Sequence, residues 1–107
     1  MIENNQYEKK SLKLIEKKNP DWNELAKDCI SFANASGGKI IIGIEDDDNM
    51  PPIDQKIEER LISTIRKNIE QRTVNLGIEV YKIVAENGSE VIEILINKNK
   101  SSIADLS

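Results

Sequence analysis

The 107-residue chain has no histidine, a single cysteine, four aromatic residues and no long apolar run. Without imidazole, neither a Ser-His-Asp nor a Cys-His nucleophile system can be assembled, and a zinc site built on histidine is excluded. Any catalysis therefore rests on carboxylates, lysine or tyrosine. A lone Cys29 forms no intramolecular disulfide, and nothing in the chain reads as a signal peptide or a membrane span, so the expected setting is reducing and cytoplasmic. Net positive charge is missing as well. The formal balance is −4, which argues against a domain that coats nucleic acid over its whole surface. With so few aromatics, the core must be aliphatic.

What is present is a chain of one-domain length, 38% hydrophobic and 32% charged, with its charges segregated. Lys9, Lys10, Lys13, Lys17 and Lys18 crowd the N-terminal segment, whereas Glu45-Asp46-Asp47-Asp48 is an uninterrupted acidic run. Met1 to Gln6 is polar and reads as frayed. The alternation in Ser11-Leu12-Lys13-Leu14-Ile15-Glu16 predicts a first, half-buried strand, with Leu12 and Leu14 on one face. After the break at Asn19-Pro20, Asp21 followed by Glu24 has the form of a capping box and predicts a helix. In that helix Trp22, Leu25, Ala26, Cys29, Phe32 and Ala33 make one apolar stripe. The stripe makes Cys29 a packing residue, and no activating base accompanies it.

Gly37-Gly38 ends the helix, because glycine takes the left-handed conformation at little cost. The segment is not a phosphate loop. That motif follows a strand and opens a helix, whereas here the order is helix, glycines, strand, so no ATP site is expected. Lys39-Ile40-Ile41-Ile42-Gly43-Ile44 is β-branched on both faces, the pattern of an interior strand. The acidic run turns the chain, and Asp54 is expected to cap a second helix with the stripe Ile57, Leu61, Ile62, Ile65 and Ile69, leaving Arg60, Arg66 and Lys67 outside. An Asn87-Gly88 turn between Val74–Val84 and Val91–Ile96 signals a hairpin. The expected fold is α/β, a mixed sheet in βαβαββ order with two helices packed on it and a right-handed first crossover. The region from Lys98 to Ser107 is polar and carries no clear element, so 1–107 reads as a single domain cut short at its C-terminus.

Two groups of residues could carry function. Lysines on and after the first strand can neutralise phosphates, each adding salt-dependent affinity, although an ordinary solvated surface accounts for them nearly as well. The acidic run lies where open α/β sheets place functional side chains, and clustered carboxylates can hold a divalent ion. It lacks the frame of an EF-hand loop, and solvation is the simpler account of Asp47 and Asp48.

The run Ser31-Phe32-Ala33-Asn34-Ala35-Ser36-Gly37-Gly38, the apolar strand Lys39 to Ile42, and Gly43-Ile44-Glu45-Asp46 together resemble the signature of the Schlafen/AlbA-like (AlbA_2 type) DNA-binding domain. In that family a helix ends in Ala-Phe-Ala-Asn-x-x-Gly-Gly, and an apolar strand leads into Gly-Val-Asp-Asp. The resemblance implies a nucleic-acid-binding module, for DNA or RNA, of a bacterial transcriptional regulator. On that reading Lys9, Lys10, Lys13 and Lys39 are the contacts, and Asn34, Gly37, Gly38 and Gly43 build the motif's turns. No cofactor is implied and a homo-oligomer stays open. Schlafen relatives with ribonuclease activity imply an alternative, in which a Glu-x-x-x-x-Glu pair and a later Asp act with a divalent metal. Glu8 matches the first position and Asp46, or Glu45, the last. Lys13 occupies the second and would repel the ion, which counts against an enzyme. A protein-interaction domain is the third reading, consistent with the acidic balance.

Overall fold

A computed structural model describes residues 6–99. The expectations for Met1 to Asn5 and for 100–107 lie outside the described residues. The elements run β1 (Gln6–Lys10), α1 (Lys13–Glu16), α2 (Trp22–Ala35), β2 (Gly38–Ile42), α3 (Glu59–Glu70), β3 (Ile78–Val84) and β4 (Glu90–Ile96). They form a four-stranded sheet in the order β1-β2-β4-β3, parallel between β1 and β2 and antiparallel elsewhere. The expected mixed sheet is therefore present, with three helices among the described residues rather than two.

The extra helix corrects the first strand. Strand β1 lies five residues earlier than expected, and the segment expected to be a strand folds as the single turn α1. Leu12 and Ile15 are buried three positions apart, a helical spacing that the weaker Leu12/Leu14 alternation concealed. Ser11 reinforces the turn, its hydroxyl accepting from the Lys13 backbone N–H at 3.1 Å.

Helix α2 starts as expected, with the Asp21 carboxylate accepting from the Glu24 N–H at 3.0 Å. It stops at the glycines. Gly37 has φ +83° and its N–H returns to the Phe32 carbonyl at 2.7 Å, closing the helix end. A side chain could not stand there, because a Cβ would lie 2.8 Å from the Ile96 carbonyl oxygen. Gly38 opens β2.

Strand β2 is interior, as its composition predicts. Ile40 and Ile42 face the helices with Leu25, Cys29, Ile65, Ile69, Ile92 and Ile94, while Ile41 packs with Ile44, Val91 and Ile83 on the opposite face. Each fully buried isoleucine contributes roughly 1.5–3 kcal/mol of transfer free energy, so this single strand anchors both layers. Cys29 is fully buried, and burial pushes its thiol up to about 12, in keeping with packing rather than reactivity.

The second helix begins at Glu59, not after Asp54, which sits at φ 65°. Its stripe is buried as expected, but the chain before it is held extended by β4. Gln55 Nε2 donates to the Gly43 and Glu90 carbonyls at 3.0 and 2.9 Å, and the Glu90 carboxylate accepts from the Ile57 N–H at 2.8 Å. These long-range bonds outweigh the local cap. Arg66, expected outside, donates to the Val80 carbonyl at 2.9 Å and ties α3 to β3. The hairpin forms around Gly88 at φ +85°, with β3 starting at Ile78 rather than Val74.

Candidate functional site

Because β1 and β2 are parallel, their carboxyl ends emerge at the same end of the sheet, and the chain leaves one into α1 and the other into the acidic turn. Three contacts lock these exits together. Gly43 N–H donates to the Lys10 carbonyl at 2.8 Å, Ser11 Oγ donates to Glu45 Oε2 at 2.6 Å, and Lys9 Nζ donates to the Asp46 and Asp48 carbonyls at 3.2 and 2.6 Å. Gly43 is required where it stands, since at φ +126° a Cβ would lie 2.8 Å from Gln55 Nε2.

Between the exits, along β1, lies an open cleft of about 710 Å³. It gathers Glu8, Lys9, Lys10, Lys13, Glu45 and Asp46 from the sequence-based candidates, and adds Tyr7, Ser11, Leu14 and Lys17. Four lysines face three carboxylates there, but the lysines are not equivalent. Lys9 is spent on the turn's carbonyls. Lys10 lies on the helical side between Glu8 and Asp28, 2.8 Å from each. Burial alone would lower its pKa, but the hydrogen bonds to Asp28 and Glu8 outweigh that and raise it, so Lys10 is a firmly charged structural cation. Among the described residues neither Lys13 nor Lys17 has an ion-pair partner, and both are exposed. With the first strand recast as α1, Lys13 opens the helical turn and Lys17 is its C-cap, and both line the cleft.

Lys39 is placed elsewhere. It pairs with Tyr7 across the sheet on the helix-free face and lines a separate shallow depression with Gly37, Gly38 and Lys98. Asn34 is exposed at the end of α2 and lies outside the cleft. The motif glycines therefore shape the scaffold, with Gly43 alone adjoining the site.

Among the described residues no three Asp, Glu or Cys side chains converge, Glu8 is bound to Lys10, and Glu45 accepts from Ser11. The residues that sequence reasoning passed over are Tyr7 and Ser11. Tyr7 is the one aromatic of the four that is more than half exposed, at 55%.

Comparison with known proteins agrees with this architecture. Of the solved structures, the DIP2311 protein from Corynebacterium diphtheriae is similar over 94% of this chain, with 20% identity and a TM-score of 0.58, a likeness of fold. This chain spans 19% of that protein's length. No curated protein matches. No described helix is long and apolar enough to cross a membrane. The sequence model of the Schlafen AlbA_2 family matches residues 3–105, nearly the entire chain, and the protein belongs to that family.

Proposed function

We propose that this domain is a nucleic-acid-binding module of a longer bacterial transcriptional regulator, and that it grips phosphates in the cleft between α1 and the acidic turn. The observation that carries the reading is the pair Lys13 and Lys17, exposed and without an ion-pair partner among the described residues, lining a cleft in which Glu8 is engaged by Lys10 and Glu45 by Ser11. A phosphate entering there meets two ammonium groups with no competing salt bridge to break, and each contact releases counterions from the nucleic acid. Membership of the AlbA_2 family supports the assignment. The acidic total is compatible with it, because binding is set by the local charge and four lysines face three carboxylates in the cleft.

The test is a binding titration of the folded chain against DNA and RNA at low and at physiological salt. Binding that weakens as salt rises supports the module. No binding to either nucleic acid at low salt removes it and leaves a protein-interaction domain as the better account.

A further inference from the structure

We infer that the nucleic acid taken by this domain is single-stranded, and that its backbone runs from the Tyr7 cleft around α1 into a second cleft at the start of α3. The inference rests on the phosphate-binding reading above and specifies its ligand. The second cleft, of about 550 Å³, is lined in part by Lys17, Lys56 and Arg60. Lys17 lines both clefts, so the two adjoin at that residue. Within α1, Leu14 belongs to the first cleft and Ile15 and Glu16 to the second. Successive residues on a helix project about 100° apart, so a chain that follows both clefts must bend around a single helical turn. A duplex, stiff over about 150 base pairs, cannot take that path, whereas one strand can.

Tyr7 gives the second reason. Tyr7 is 55% exposed on β1, in the same cleft as Lys13 and Lys17. In a duplex each base is already stacked on its neighbours and only backbone reaches such a surface. An unpaired base can lay its face on the ring while its phosphates sit against the lysines, the combination used for single strands of any sequence. In the second cleft Arg60 is paired with Glu58 at 2.6 Å, but both side chains are largely exposed, so the pair is weak and Arg60 can turn to a phosphate.

The experiment measures fluorescence anisotropy of labelled oligo-dT and oligo-rU of about four and about twelve nucleotides, beside a duplex of the longer length. The expected result is single strands bound at least tenfold more tightly than duplex, with the two sugar types telling DNA from RNA. Tyr7→Ala weakens single-strand binding about 5- to 100-fold, Tyr7→Phe restores it, and duplex binding is unmoved by either. Lys56→Ala combined with Arg60→Ala weakens the long strand and leaves the short one unchanged. Equal binding of duplex and single strand with no effect of Tyr7→Ala overturns this inference while the phosphate-binding reading stands. A long strand bound as tightly by the Lys56, Arg60 double variant as by the wild type overturns the path. If no oligonucleotide binds the wild-type chain, both fall.

Discussion

The Ser11 hydroxyl donates to the Glu45 carboxylate at 2.6 Å while accepting from the Lys13 N–H at 3.1 Å, so one side chain both closes the first turn of α1 and holds the acidic turn against it. This exposed serine is the joint of the cleft. Ser11→Ala is expected to cost about 1 kcal/mol of stability, the worth of a helix-start hydrogen bond, and to speed amide exchange at Lys13. Urea denaturation together with hydrogen exchange checks it. Unchanged stability and protection would mean that the joint is held by the backbone alone.

Two glycines separate conformational cost from steric cost. Gly37 and Gly88 have nearly the same φ, +83° and +85°, but a Cβ meets the Ile96 carbonyl oxygen at 2.8 Å at Gly37 and nothing within 4 Å at Gly88. Gly88→Ala should lose about 1 kcal/mol, the left-handed penalty alone. Gly37→Ala should lose about 2–3 kcal/mol, because backbone must also move. Thermal unfolding of the two variants side by side measures the difference, and equal losses would show that the sheet yields at Gly37.

Much of this architecture could be read from residue patterns because it is built by local rules. The Asp21 cap, the α2 and α3 stripes, the Ile-rich interior strand and the Asn-Gly hairpin each carry their signal within a dozen residues. The failures arose where distant contacts decide. Asp54 loses the helix start to Gln55 and Ile57 because both are bonded to Glu90, more than thirty residues away. Leu12 and Ile15 fit a helix as well as a strand, and the short apolar segment gave periodicity too little length to discriminate. For the site, charge segregation singled out four lysines that line the α1 cleft. It could not say that Lys10 would be consumed by Asp28, a residue on another element, or that Lys39 would emerge away from the cleft.

The Glu90 clamp predicts a pH dependence. The bond from the Ile57 N–H lowers the Glu90 pKa below its ordinary 4.5, against the opposing effect of burial, with Lys82 adding to the lowering. A carboxylate whose folded pKa is depressed contributes stability that is fully present above the unfolded value and is lost as pH falls through the folded one. Tm should therefore fall below about pH 4.5 in the wild type, and Glu90→Gln should flatten that part of the profile while lowering Tm at neutral pH. A parallel acid profile for the two proteins would assign the acid sensitivity to other carboxylates.

The claim that the α1 cleft binds phosphate through Lys13 and Lys17 is tested most directly by the salt dependence of binding. The measurement is the slope of log Kobs against log salt for a single-stranded oligonucleotide, for the wild type and for the Lys13→Ala, Lys17→Ala double variant. Loss of two phosphate contacts should make the slope shallower by about 1.4 and weaken binding most at low salt. An unchanged slope with unchanged affinity would contradict the account and place the nucleic acid elsewhere on the domain.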